Sequence, residues 1–152
     1  MDIMNNSYNK IYFKHNFNQL DDFKPESLFF FLSSYIEDIK NIEIVIKKFN
    51  PNDSMKFHID DCQIVKIKKI EHNLENYVHL KGNKYLYFKK RPKFTAVFYF
   101  NNENVIGGNL IFADKTEIKP ISKTGVIFDS REAHMVSKIK EGIRNSVIVK
   151  IF

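Results

Sequence analysis

Apolar and polar residues alternate along much of this chain, and alternation with a period of two predicts β-strands whose two faces differ in polarity. Each candidate strand is rich in Ile, Val, Phe or Tyr and is bounded by Asn, Asp, Gly or Pro. The candidate strands cover residues 9–17, 43–49, 55–60, 85–88, 94–100, 109–112, 125–129 and 146–152. The sequence therefore predicts about eight short strands.

One segment near the N-terminus has helical spacing instead. Its apolar residues recur three or four positions apart, which places them on one face of a helix. They are Leu28, Phe31, Leu32, Tyr35, Ile36 and Ile39. Two Asp residues and Pro25 suit the start of a helix, so we expect a helix that begins near Pro25 and runs to about Lys40. Its aromatic stripe is interpreted as core packing.

A single helix followed by many strands predicts a mainly β protein of the α+β kind, in which a sandwich or barrel is supported by the helix. The length of 152 residues is enough for one core, and no repeat, linker or low-complexity segment divides it. We therefore predict a single domain over 1–152, with its core over about 43–152 and a supporting strand and helix over about 9–40.

The composition disfavours several classes of protein. Hydrophobic residues make up 43% and charged residues 28%, which is typical of a globular domain. No apolar run approaches the length of a membrane span, and the N-terminus lacks the pattern of a secretory signal. The single cysteine, Cys62, excludes an internal disulfide and fits a reducing compartment. We expect a cytoplasmic protein with no membrane partner.

The net charge of +6 raises the question of a nucleic-acid partner. The Lys residues are scattered, with only short clusters at 66–69 and 89–93, and solvated Lys on exposed faces accounts for them. Nucleic-acid binding is therefore disfavoured. The sequence gives no indication of the oligomeric state.

The tripeptide His58-Ile59-Asp60 is the first candidate for chemistry. Alternate residues of a strand point to the same side, so His58 and Asp60 are expected to project together as two ligands of one metal ion. By itself the pattern is weak, because it occurs often by chance. His134, which follows a predicted strand and a polar turn, is the candidate third ligand. Two His and one carboxylate form the facial triad of non-haem iron(II) oxygenases.

A structural zinc site is the alternative for the same residues, but it needs a fourth protein ligand. Cys62 can supply one only if the strand that carries Asp60 continues. The remaining His residues fit neither pattern and are interpreted as surface or packing residues. They are His15, His72 and His79.

Arg144 stands at the start of the last apolar segment, where its charge requires a partner. A carboxylate matched to the guanidinium is one explanation, and Ser146, on the same face of the strand, adds a hydroxyl to it. An ion pair within the protein is the other explanation. The strand pattern alone leaves both open.

Together these features resemble the prolyl 4-hydroxylase-like branch of the iron(II)- and 2-oxoglutarate-dependent dioxygenase superfamily. The likeness runs from Glu43 to the last residue and lies in the order of the motifs as well as in their residues. The motifs are His58-x-Asp60, Thr95-Ala96-Val97-x-Tyr99-x-Asn101, Gly107-Gly108, Pro120, Gly125, Phe128-Asp129-Ser130-Arg131, His134 and Gly142-Ile143-Arg144-Asn145-Ser146.

The resemblance implies a double-stranded β-helix of the jelly-roll or cupin-like kind, with iron(II) held by the three candidate ligands. It implies that Arg144 binds the distal carboxylate of 2-oxoglutarate, helped by Ser146 and Tyr99, although Tyr99 also fits a plain core aromatic. The cosubstrates are then 2-oxoglutarate and O2, with ascorbate as an optional cofactor. Gly107 and Gly108 are expected to shape a turn, since Gly tolerates positive φ.

The implied activity is hydroxylation of an unactivated C–H bond with release of succinate and CO2. A protein or peptide side chain, prolyl above others, is the favoured substrate. Residues 61–92 form a long segment where a substrate loop is expected. Its candidate substrate contacts are Tyr77, Tyr85, Tyr87 and Arg91.

Three alternatives remain beside this function. The substrate is alternatively a free amino acid or other small molecule, and the domain is alternatively a non-catalytic metal-binding module. A nucleic-acid demethylase of the same superfamily is disfavoured, because such relatives carry a second Arg six residues after the first, where this chain has Lys150.

Overall fold

The computed structural model describes residues 10–60, 62–66, 77–79, 84–88 and 92–152, with the backbone alone for the three segments between 62 and 88. One α-helix lies within these residues, α1 (Pro25–Ser33), preceded by a short 3₁₀ helix (Leu20–Asp22). The strands are β1 (Ile11–Lys14), β2 (Ile42–Phe49), β3 (Met55–His58), β4 (Cys62–Lys66), β5 (Tyr77–His79), β6 (Lys84–Phe88), β7 (Phe94–Tyr99), β8 (Ile106–Gly107), β9 (Leu110–Phe112), β10 (Glu117–Ile118), β11 (Thr124–Asp129), β12 (His134–Val136), β13 (Ile139–Glu141) and β14 (Arg144–Ile151).

Two antiparallel sheets form the body of the domain. The larger has the strand order β1-β11-β7-β14-β2, and the smaller has the order β10-β9-β12-β3. Two further sheets in the described part of the chain, β13-β8 and β4-β6-β5, are also antiparallel. The predicted mainly β class with one N-terminal helix is confirmed.

Strand β7 shows how the layers are built, because its side chains alternate between two cores. Phe98 packs on one side, in a cluster with Leu28 of α1. Tyr99 packs on the other side, in a cluster with Phe112 of the smaller sheet. The domain therefore has three layers, with the larger sheet between the helix and the smaller sheet.

Strand β14 alternates in the same way, and this decides where its polar residues lie. Val147 and Val149 are fully buried in the core that contains α1. Arg144 and Ser146 occupy the intervening positions, where they are buried and line a cavity between the two sheets. A period of two in the sequence thus places a charge and a hydroxyl inside the sandwich.

The predicted helix is too long at its C-terminal end. Helix α1 ends at Ser33 rather than near Lys40, and Asp38 adopts a positive φ of 56° that lies outside the helical region. Ile36 and Ile39 still pack against the core beside α1, so tertiary packing accounts for their apolar spacing. In the part of the chain that the structure describes, no helix is long and apolar enough to cross a membrane.

His15 is a packing residue, one of the two roles that the sequence left open. The residue is buried, and its ring lies among those of Phe13, Phe17 and Phe98. Its Nε2 forms a hydrogen bond of 3.0 Å with the Tyr99 carbonyl. Burial lowers the pKa of His15, so the neutral ring is the favoured form in this core.

The segment predicted to form a substrate loop is only partly described. Seven residues with a predicted role have side chains that the structure does not describe. They are Cys62, His72, Tyr77, His79, Tyr85, Tyr87 and Arg91. Their assigned roles therefore stay predictions.

Candidate metal centre

Three side chains with metal-ligating atoms converge where β3 meets β12. His58, the last residue of β3, is the cross-strand partner of His134, the first residue of β12. Their Nε2 atoms lie 3.4 and 3.2 Å from Oδ1 of Asp60. One ligand atom from each residue lies within 4.8 Å of the others. Two segments that lie far apart in the sequence, 58–60 and 134, thus bring three ligand atoms close enough to bind one ion.

Asp60 reaches this position from a turn rather than from the strand that the sequence predicts. Strand β3 ends at His58, and Asp60 lies in the turn that follows. The hydroxyl of Thr95, on β7, donates to Oδ2 of Asp60 at 2.7 Å, so that Oδ1 faces the imidazoles. The sequence pattern predicts no role for Thr95, although a Thr among mostly apolar residues of a buried strand is a polar group that needs a partner. The residue is 1% exposed.

Both imidazoles are held by backbone carbonyls two residues earlier in the chain. His58 Nδ1 bonds the Lys56 carbonyl at 2.8 Å, and His134 Nδ1 bonds the Glu132 carbonyl at 2.9 Å. Since a carbonyl oxygen only accepts, each Nδ1 carries the hydrogen, and the neutral ring presents a lone pair at Nε2. Metal-ligating His residues are commonly oriented by such bonds.

Two imidazole lone pairs and a carboxylate oxygen repel one another unless a metal ion or a proton lies between them. Burial would raise the pKa of Asp60, but hydrogen bonds with His134, His58 and Thr95 together hold it well below its ordinary value. Burial opposes protonation of His58, but its bonds to Asp60 and to the Lys56 carbonyl, together with the charge of Asp60, outweigh burial and raise the pKa of His58. The site therefore stabilises positive charge at its centre. Two nitrogens and one oxygen fit a divalent transition metal.

Arg144 is a buried guanidinium in the same sandwich. The residue is 2% exposed, and its guanidinium carbon lies 5.4 and 5.1 Å from the ring centroids of Phe49 and Tyr99. Nε donates to the Gly108 carbonyl at 2.7 Å. The terminal nitrogens donate to the hydroxyls of Tyr99 at 3.2 Å and Ser146 at 3.4 Å. These bonds use three of the five N–H groups and leave two for a ligand.

The charge of Arg144 has no carboxylate partner among the described residues. Burial lowers the pKa of Arg144, and its contact with Tyr99 opposes this only in part. A buried cation without a counter-charge is unfavourable by several kcal/mol. The sequence left two explanations open, and the lack of an ion pair to Arg144 among the described residues favours an anionic ligand.

Two residues position Arg144 without lining the cavity. Tyr99 is fully buried, and its hydroxyl contacts Arg144. Gly108 has a positive φ of 68°, and a Cβ atom there would come within 2.8 Å of Arg144 Cδ. The sequence assigns Gly108 only to turn geometry, but the structure also shows that its missing side chain leaves room for Arg144.

The triad and Arg144 line one cavity of about 400 Å3 between the two sheets. Its volume lies within the usual range for small-molecule sites, and most of its remaining wall is apolar. The apolar lining residues are Val45, Phe49, Met55, Ile59, Val97, Leu110, Phe128, Val136 and Ile148. The fold thus brings a candidate metal site and a candidate anion site into one cavity.

A buried ion network supports His134 from behind. Lys10 Nζ lies 2.7 Å from a carboxylate oxygen of Asp114 and 2.7 Å from one of Glu132. The side chains of Lys10 and Glu132 are 5% and 3% exposed. Because the Glu132 carbonyl holds the His134 ring, this network connects the start of β1 to the orientation of a candidate ligand. No sequence motif indicates this ion network.

The fold is that of the prolyl hydroxylases and other 2-oxoglutarate–iron(II) oxygenases, as comparison with solved structures shows. A viral collagen prolyl hydroxylase from Paramecium bursaria Chlorella virus-1, in its 2-oxoglutarate complex, has a TM-score of 0.54 and 17% identity, covering 95% of this chain and 78% of its own. A Pseudomonas putida prolyl-4-hydroxylase has a TM-score of 0.52 and 17% identity over 83% of this chain. An oxidoreductase of the 2OG-Fe(II) oxygenase family from Burkholderia pseudomallei has a TM-score of 0.51 and 12% identity over 84%.

This similarity confirms the predicted double-stranded β-helix core with its supporting helix. At identities of 12 to 17%, it shows the fold and no more. The chain spans 59% of the Pseudomonas protein and 51% of the Burkholderia protein. No protein-family model and no curated protein matches the sequence.

Replacement of Lys10 by Met is expected to lower the free energy of unfolding by about 3 kcal/mol, because it leaves the buried Glu132 carboxylate without its cation. Chemical denaturation measures this loss. Adding Glu132→Met to Lys10→Met should recover part of the loss, since it removes the unpaired charge. Lys14→Met is the matched control, because Lys14 is an exposed lysine at the far end of the strand that Lys10 precedes. Equal stability of the two single variants would contradict the importance of the network.

Proposed function

We propose that this protein is an iron(II)- and 2-oxoglutarate-dependent hydroxylase. One observation carries the proposal: three metal-ligating atoms share a cavity with a buried guanidinium that lacks a carboxylate partner among the described residues. The metal-ligating atoms alone, or the guanidinium alone, would fit many ligands. Together they fit a ligand that chelates a metal with one part and presents a carboxylate at the other. 2-Oxoglutarate has both groups.

His58, Asp60 and His134 would hold the iron as a facial triad, which leaves the remaining positions for cosubstrates. When bound, iron(II) with 2-oxoglutarate and O2 supplies the chemistry that hydroxylates an unactivated C–H bond and releases succinate and CO2. The contribution of the protein is orientation. Backbone carbonyls fix the two rings, and the Thr95 hydroxyl fixes Asp60. No catalytic residue beyond the metal ligands is proposed.

Arg144 would bind the distal carboxylate of 2-oxoglutarate with its two remaining N–H groups, which suit a planar carboxylate. Ser146, on the same face of β14, would add its hydroxyl. Tyr99 would contribute by holding the guanidinium, because it does not line the cavity. The apolar walls exclude water and strengthen the ion pair.

The proposed substrate is a protein or peptide side chain, prolyl above others, since two structures with this fold are prolyl hydroxylases. Residues of the 61–92 segment would contact it, namely Tyr77, Tyr85, Tyr87 and Arg91. A free amino acid or other small molecule is the second candidate substrate, favoured by a cavity of only about 400 Å3 and by the two lysines that line it, Lys47 and Lys150. The presence of all three ligands together with Arg144 argues against a non-catalytic module.

Addition of iron(II) and 2-oxoglutarate to the metal-free protein in the absence of O2 is expected to give a weak visible charge-transfer band that needs both additions. His134→Ala should abolish the band, because it removes one of two nitrogen ligands. Zinc(II) in place of iron(II) is the control and should give no band. A wild-type protein that binds iron(II) but shows no band with 2-oxoglutarate would contradict the proposal.

Gly108→Ala is expected to raise the concentration of 2-oxoglutarate that gives half of the maximal band intensity by about tenfold or more. The reason is that the added methyl group displaces Arg144. Iron(II) affinity should not change. Gly142→Ala is the matched control, since Gly142 also has a positive φ, of 79°, but a Cβ there meets Asn104 instead. Equal 2-oxoglutarate requirements in the two variants would show that Gly108 does not position Arg144.

A further inference from the structure

The floor of the cavity is formed by alternate residues of β2 and β14. On these paired strands, the side chains that line the cavity lie opposite one another. The opposed pairs are Phe49 with Arg144, Lys47 with Ser146, Val45 with Ile148, and Glu43 with Lys150. Directly opposed side chains of antiparallel strands are neighbours. The floor is therefore a grid of two columns, one from each strand, in which the register gives the position of every charged residue.

Lys47 is the lysine of this grid that has no carboxylate opposite it. Lys150 stands opposite Glu43, whereas Lys47 stands opposite Ser146. Lys47 is half-buried, has apolar residues two positions away on either side, and takes part in none of the ion pairs among the described residues. An amine in such a setting favours an anionic ligand.

The charges of the loaded cavity lead to the same ligand. The two positive charges of iron(II) match the two negative charges of 2-oxoglutarate. Among the lining residues, Asp60 and Glu43 then carry two negative charges, and Lys47, Arg144 and Lys150 carry three positive charges. The loaded cavity therefore keeps one positive charge, and of its two lining lysines only Lys47 has no carboxylate opposite it on the paired strand. A ligand that enters this cavity after the cosubstrate therefore gains from a single negative charge.

We infer that the part of the substrate that enters the cavity carries a carboxylate, which binds Lys47. The inference rests on the proposed function, because it places this carboxylate in the cavity that the triad and Arg144 share. A cavity of about 400 Å3 also has to hold 2-oxoglutarate, so the part of the substrate that enters is small. A free carboxylic acid and the C-terminal residue of a peptide present the same chemistry to Lys47.

The test uses the protein loaded with iron(II) and 2-oxoglutarate in the absence of O2. The probes are N-acetyl amino acids, each supplied as the free acid and as the carboxamide, and a shift of the visible band reports binding next to the metal. At least one acid is expected to shift the band at a concentration about tenfold or more below that of its amide. Tripeptides that end in the same residue distinguish a peptide terminus from a free acid.

Substitutions at Lys47 assign the preference to this side chain. Lys47→Gln is expected to lose the preference for acids, and Lys47→Arg is expected to keep it. Lys48→Gln is the matched control, because Lys48 is an exposed neighbour on β2 that does not line the cavity. This variant should behave as the wild type does.

Three results would contradict the inference. They would not contradict the proposed function as long as the wild type still shows the visible band with iron(II) and 2-oxoglutarate. They are amides that bind as well as their acids, a panel in which no acid shifts the band, and a Lys47→Gln variant that keeps the preference. A Lys47→Gln variant that only needs more 2-oxoglutarate would assign Lys47 to the cosubstrate. Absence of the band from the wild type would count against the proposed function instead.

Discussion

The charge of Arg144, buried between two sheets, is the constraint on which the rest of the site depends. Moving an unpaired charge into such an interior costs several kcal/mol. The surroundings reduce this cost with the Gly108 carbonyl, the Tyr99 hydroxyl and two aromatic faces, but the described residues supply no carboxylate. A carboxylate ligand would complete the site. Because the metal-ligating atoms line the same cavity, the proposed function would hold that ligand and a metal ion together.

Local periodicity accounts for what the sequence predicted. Alternation along β14 places Arg144 and Ser146 on one face, and the structure has them side by side on the cavity wall. The mainly β fold and its supporting helix follow from the same reasoning, since each strand and helix is encoded by residues near one another in sequence. Periodicity does not predict how the strands are connected. The double-stranded β-helix was predicted from the resemblance, which lies in the order of the motifs.

The details that orient the site depend on pairing between distant segments, which no local pattern encodes. The cross-strand register that sets His58 opposite His134 joins residues far apart in sequence. Asp60 enters from a turn, and Thr95 reaches it from another strand, so neither contact follows from spacing. The end of α1 is a further case, because the residues after Ser33 pack on the core without remaining helical.

Calorimetric titration of 2-oxoglutarate, with and without manganese(II), tests the central claim most directly. If one ligand joins the triad to Arg144, the metal should tighten 2-oxoglutarate binding about tenfold or more, and 2-oxoglutarate should tighten metal binding equally. Glutarate keeps both carboxylates but lacks the keto group, so it should show much weaker coupling. Equal affinity for 2-oxoglutarate with and without the metal would show that the two halves of the cavity do not share a ligand.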